Sequence, residues 1–263
     1  MTTNNLSVVQ YVRAESVTKR VNDLLGKRAP QFVTSLITAV NENSKLAECE
    51  PQSVLNSALT AASMDLPINQ NLGFAYLIPY KNKTGTVCQF QMGYKGFIQL
   101  AQRSGYYKTI NVTEVKEGEI KVQDRLTGEI TFDWVSDDVK RSELKTIGYI
   151  AYFRLLNGFE KSMFMSVDEA MAHGKKYSKA FAKWNSGLWV DDFDSMARKT
   201  VLKLLLSKYG PLNTQLQEAI QKDQTVNDSY ADNPNSNEAK ADDEAEKIAE
   251  KRKQIERMMN ENS

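Results

Sequence analysis

The chain of 263 residues has room for one large domain, or for one domain with an appendage. It is 41% apolar and 25% charged, enough to bury a core, and its 34 basic and 33 acidic side chains give a net charge of +1. Two cysteines exclude a disulfide framework and a cysteine-built zinc site, and the single His173 excludes a multi-histidine metal centre. No apolar run reaches the ~18 residues of a membrane span, and the opening MTTNNLSVVQ carries no export signal, so a cytoplasmic protein of a reducing compartment is expected.

The near-zero balance conceals a split. Residues 1–210 hold 27 basic and 21 acidic side chains, whereas residues 211–263 hold 7 and 12. A mildly basic body with an acidic tail points to a polyanionic partner for the body.

In chain order, the first 65 residues read as three helices. The first lies around residues 7–25, the second carries Val33, Leu36, Ile37 and Val40, and the third runs on from Pro51. Two β-rich runs, Gly73–Tyr80 and Val87–Met92, flank KNKTGT and predict a hairpin with Cys88, Phe90 and Met92 on one face. Gly93-Tyr94-Lys95-Gly96 then opens a short helix that ends at Ser104-Gly105. Residues 106–165 read as strands, with a two-residue hairpin turn at Asn157-Gly158. Ser166 and Glu169 form a capping box, and a further helix spans about Ser195–Tyr209 before Gly210-Pro211.

The expected fold class is α+β: N-terminal helices, then an antiparallel sheet built from hairpins and packed on long helices, then a flexible acidic tail with a short helix. Residues 1–222 form the folded core in this reading, the part expected to meet a polyanion. Residues 223–243 are an acidic linker, since 223–246 contain eight acids and one base, and 244–263 hold a partner-docking helix.

The most informative feature is an absence. Between Asp65 and Glu114 lie 48 residues without an acid, where the average frequency predicts about six. That window contains Lys81, Lys83, Lys95, Arg103 and Lys108, interleaved with eight tyrosines and phenylalanines. Cations without neighbouring carboxylates suit phosphate, and aromatic faces suit unstacked bases, although Phe90 and Phe97 read as core. A second acid-free stretch, 170–190, carries Lys175, Lys179 and Lys183 at a spacing of four, which predicts one basic helix face. A third, 195–217, carries Arg198, Lys199 and Lys203. A solvated turn remains the alternative reading for Lys81 and Lys83, and a solvated lysine face for the second stretch; in the third, Lys199 and Lys203 are expected to project on one side with Arg198 beside them.

Catalytic signals are sparse. Asp191, Asp192 and Asp194 could hold metals for a DNA nuclease, but their position favours the negatively charged start of the following helix. No phosphate-cradling GxxxxGK motif occurs, and His173 in its basic setting suits phosphate better than lone-base chemistry. No nucleophile–base pair supports an enzyme.

Residues 73–105, GFAYLIPYKNKTGTVCQFQMGYKGFIQLAQRSG, resemble the signature region of the RecT family of phage recombinases, with its YL.P strand, CQ..(I/M)GY(K/R)G turn and L..RSG helix end. WVDDFDSMARKTVLKLLL resembles that family's later W…F..MA.KT helix, so the likeness spans about residues 50–212. It implies an ATP-independent, non-enzymatic protein that binds single-stranded DNA and anneals complementary strands. It further implies assembly into a ring or helical filament that also holds the newly annealed duplex. A partner exonuclease and the host single-strand-binding protein are expected to dock through the tail. Tyr94, Lys95, Arg103, Trp189, Met196, Lys199 and Thr200 match the family pattern. No cofactor is expected, and Mg²⁺ is expected to act by screening without a dedicated site. A non-enzymatic protein adaptor is the remaining alternative.

Overall fold

Helices dominate the first 65 residues of the computed structural model, which describes residues 6–82, 85–211 and 213–231. They are α1 (Val8–Arg13), α2 (Glu15–Leu25), α3 (Ala29–Glu42), α4 (Ser44–Ala47) and α5 (Pro51–Ser63). Ser7 and Gln10 form a reciprocal cap on α1, and Ala14 adopts an extended conformation that splits the expected first helix into α1 and α2. Pro30 and Pro51 sit in the first turns of α3 and α5, where their missing N–H costs nothing. The faces carrying Val12, Val21, Leu36, Val40, Leu55 and Ala58 close over a common core.

The expected hairpin follows as β1 (Ala75–Asn82) and β2 (Gly85–Met92), antiparallel, with Leu77 opposite Phe90 and Pro79 opposite Cys88. Cys88, Phe90 and Met92 are buried, as the alternation predicts. Two serines of α5 anchor this strand: Ser53 Oγ accepts from Cys88 N–H at 2.8 Å, and Ser57 Oγ donates to Cys88 O at 2.9 Å. Helix α6 (Tyr94–Arg103) leads to β3 (Tyr107–Lys116).

The chain then makes an excursion through β4 (Ile120–Gln123), β5 (Ile130–Phe132) and α7 (Asp138–Glu143), and returns as β6 (Thr146–Leu155) and β7 (Glu160–Ser166). The central sheet is antiparallel in the order β3-β6-β7, and β4-β5 form a separate ribbon. Helix α7 lies where strands were expected; Asp137 caps it by accepting from Val139 N–H and Lys140 N–H. The β6–β7 turn is one residue longer than expected. Gly158 N–H donates to Leu155 O at 3.1 Å and Leu155 N–H to Phe159 O at 2.7 Å, with Gly158 at φ 90° absorbing the extra residue.

The remaining elements are α8 (Val167–Tyr177), α9 (Lys179–Trp184), α10 (Leu188–Asp191), α11 (Phe193–Tyr209) and α12 (Thr214–Ala231). The capping box at Ser166 and Glu169 starts α8. Helix α11 packs against β3, β6, β7 and α6, burying Val201, Leu202, Leu205 and Leu206. Helix α12 packs against β2, α6 and α8 through Leu216, Ala219 and Ile220. It runs through residue 223, where the acidic linker was expected to begin. The expected docking helix at 244–263 lies outside the described residues. No helix among the described residues is long and apolar enough to cross a membrane.

Candidate nucleic-acid interface

The Gly93-Tyr94-Lys95-Gly96 turn exists to let backbones touch. A Cβ on Gly93 would lie 2.1 Å from the Gly73 carbonyl oxygen, and one on Gly96 would lie 2.4 Å from that of Phe74. Gly93 N–H donates to Phe74 O at 3.0 Å, fastening the entry of β1 to the first turn of α6. Only glycine admits that approach. The consequence is an exposed Lys95 at a helix N-terminus that no side chain caps, where N–H groups and the helix dipole favour an anion. Tyr94, beside it, is half-buried against the core. Burial, and then the charge of Asp192, push the neighbouring Tyr76 phenol upward, and α11 packs against α6.

The cations expected to bind phosphate divide into two sets. Lys95 on α6, Lys108 on β3, Lys175 on α8 and Lys183 on α9 are exposed, and none of the four makes an ion pair among the described residues. Lys81 is exposed near the hairpin turn. Lys83 and the Lys179 side chain lie outside the described residues. The single helix expected to carry Lys175, Lys179 and Lys183 does not form. Ser178 at φ −120°, ψ 107° ends α8, and its Oγ accepts from Phe181 N–H to start α9, so the three belong to two helices.

The second set is taken up by the protein itself. Arg103 donates to Met64 O at 3.0 Å and faces Asp65 at 3.6 Å. Arg198 pairs with Glu114 of β3. Lys199 and Lys203, 6% and 8% exposed, both grip Asp223 of α12, which is 2% exposed. The distances are 2.6 Å from Lys199 Nζ to Oδ1 and 2.8 Å from Lys203 Nζ to Oδ2. They lie on one side of α11, but that side is buried against Asp223 rather than open to a ligand. Burial raises the Asp223 carboxyl, but the two ammonium groups overcome it and hold it below the usual range. Burial depresses Lys199, and Asp223 offsets part of that.

Trp189 is likewise inside rather than on a stacking surface. It lies 5.9 Å from Phe181 at 16° and fills the space that a Cβ on Gly174 would need. His173 packs 4.5 Å from the Tyr177 ring. Burial, followed by the charges of Lys203 and Lys176, lowers it to about 4, so at neutral pH it is uncharged and adds no positive charge for phosphate. Asp192 caps α11 by accepting from Ser195 N–H at 3.2 Å, and Asp194 accepts from the Tyr149 hydroxyl. These contacts give the aspartates work at the helix start, and no group of three His, Cys, Asp or Glu side chains among the described residues is placed to hold a metal ion.

Glu114 and Asp223 are the site residues that spacing along the chain missed. Both sit far in sequence from the cations they neutralise, and Asp223 was hidden inside a linker-like composition. A companion cluster fixes the excursion. Fully buried Glu119 accepts from Arg141 Nε at 2.6 Å and from Lys116 N–H at 2.7 Å, while Arg141 also faces Glu114 at 3.8 Å. Burial alone would raise the Glu119 carboxyl; the Arg141 bond and the backbone N–H groups bring it below its ordinary value. Two clefts, of about 790 Å³ between α3 and residues 65–72 and about 610 Å³ between the central sheet and the β4–β5 ribbon, lie away from Lys95 and Lys175.

Comparison with known proteins gives concordant findings. The chain is similar to the uncharacterized protein YqaK of Bacillus subtilis (strain 168), 45% identical over 211 residues that cover 80% of this chain and 70% of the relative. It is also similar to Protein RecT of Escherichia coli (strain K12), 25% identical over 232 residues that cover 84% of this chain and 81% of the relative. The sequence pattern of the RecT family matches residues 30–245, and the chain therefore belongs to the RecT family of recombination proteins.

Proposed function

We propose that this protein binds single-stranded DNA and anneals it to a complementary strand without nucleotide hydrolysis, as a multi-subunit ring or filament. Family membership over residues 30–245 is the observation that carries the reading. The exposed lysines on α6, β3, α8 and α9, without ion pairs among the described residues, supply its chemistry. Each neutralises backbone phosphate and lowers the repulsion between two incoming strands, leaving the bases to pair. Base pairing is itself downhill, so no fuel and no cofactor is required, and Mg²⁺ acts by screening. Neighbouring subunits extend the contact along the strand, which makes binding cooperative. The segment beyond α12 is where an exonuclease and a host single-strand-binding protein would dock.

The test is annealing of two labelled complementary oligonucleotides by the purified chain without ATP. The expected result is faster duplex formation and intact strands. Lys95→Glu with Lys175→Glu should weaken oligo-dT binding and flatten its dependence on salt by about 0.7 per lost phosphate contact. Failure to accelerate pairing, or DNA shortened in the presence of Mg²⁺ or Mn²⁺, would overturn the reading.

A further inference from the structure

Asp223 does for Lys199 and Lys203 what a phosphate would do. Each carboxylate oxygen receives one ammonium group, at 2.6 and 2.8 Å, in the forked arrangement with which two lysines hold two oxygens of an anion. The cluster is unbalanced: two buried cations share one carboxylate, and His173, the other titratable group facing Lys203, adds no negative charge. Such a cluster is a poor way to glue helices, since a well-packed apolar contact in its place avoids the desolvation of three ions. Among its described side chains, the helix that supplies the carboxylate is held by Leu216, Ala219 and Ile220. Helix α12 packs against β2, against α6, which carries Lys95 elsewhere along its length, and against α8, which carries Lys175 and Lys176. The chain continues from it into the stretch 223–246, with eight acids and one base.

We propose that α12 covers a latent strand-binding groove, floored by Lys199 and Lys203 and walled by α6, α8 and β2, with the Asp223 carboxylate standing in for a DNA phosphate until a strand displaces the helix. The inference rests on the DNA-binding reading above. Tethering gives the carboxylate a high effective concentration, so a single phosphate does not compete with it. A strand that engages the exposed lysines at several points brings further phosphates to the same place and does. The protein would then hold DNA in two stages, first on its surface lysines and next in the opened groove, with more phosphates neutralised in the second.

The test uses the full chain. Hydrogen exchange is followed with and without saturating oligo-dT, and amides of residues 214–223 are expected to exchange about tenfold faster when DNA is bound. Asp223→Asn, which removes the competing charge while keeping the shape, should bind oligo-dT at least about fivefold more tightly, with a salt slope steeper by up to about 1.4 for two added phosphates. Asp223→Glu should restore the closed form. Unchanged or increased protection of α12 on DNA overturns the proposal, as does a folded Asp223→Asn protein whose affinity and slope match the parent. Should Asp223→Asn fail to fold, the exchange measurement on the unaltered chain decides. A parent chain that binds no oligonucleotide overturns the DNA reading itself, whereas bound DNA over an unmoved α12 overturns only this inference.

Discussion

Helices α6 and α8 on one side and α11 on the other look alike in sequence and differ in space. All three carry lysines or arginines inside stretches free of acids. On α6 and α8 the cations at 95 and 175 stay exposed and without ion pairs among the described residues. On α11 Arg198, Lys199 and Lys203 each receive a carboxylate from a distant part of the chain, Glu114 of β3 or Asp223 of α12. An acid-free window therefore reports only the absence of local neutralisation. Whether the charge is available to a ligand depends on what the fold carries in from elsewhere, which is set by how apolar the element around it is. Helix α11 is largely buried, so its cations are dragged into the interior and must be paired there.

The contrast predicts opposite consequences for removing charge on the two sides. Glu114→Ala strips Arg198 of its carboxylate and removes one neighbour of Arg141 and Lys116. It should lower stability by about 1–3 kcal/mol, read from the urea midpoint. Lys95→Ala or Lys175→Ala should change stability by no more than about 0.5 kcal/mol while weakening oligo-dT binding. Equal stability losses on both sides would erase the distinction between paired and available cations.

A smaller effect sharpens the same boundary. His173 is held neutral, with its pKa lowered to about 4 by burial first and by Lys203 and Lys176 next, against about 6.5 in the unfolded chain. Between those values the unfolded state binds the proton and the folded state does not, so stability falls as pH drops from about 6.5 toward 4 and is fully present above that range. His173→Gln should flatten the melting temperature between pH 7 and pH 5. An identical pH profile in the variant would show that neither burial nor the charges of Lys203 and Lys176 hold this group neutral.

Much of this was legible in the residues because it is local. The β1–β2 alternation, the Ser166–Glu169 box and the stop of α11 at Gly210 depend on neighbours within a few positions, and they stand as read. The break at Ser178 was concealed because Ala, Lys and Tyr on either side favour helix, and only the serine's cap onto Phe181 reveals it. Helix α7 was missed because its ordering comes from Arg141 reaching Glu119, 22 residues earlier, and not from its own apolar pattern. Composition was misleading at Asp223, where polar neighbours look like linker while Leu216, Ala219 and Ile220 face the core. The glycines of the GYKG turn were visible as turn formers, but the contact they permit with Gly73 and Phe74 is a property of the assembled hairpin.

The central claim is that the exposed lysines of α6, β3, α8 and α9 are the ones that first meet DNA. Amine-labelling of the full chain with and without oligo-dT, read residue by residue, tests it most directly. Lys95, Lys108, Lys175 and Lys183 should lose reactivity when the strand binds, while Lys121 and Lys140 of the acid-rich excursion keep theirs. Protection centred on the excursion, with the four unchanged, would contradict the account.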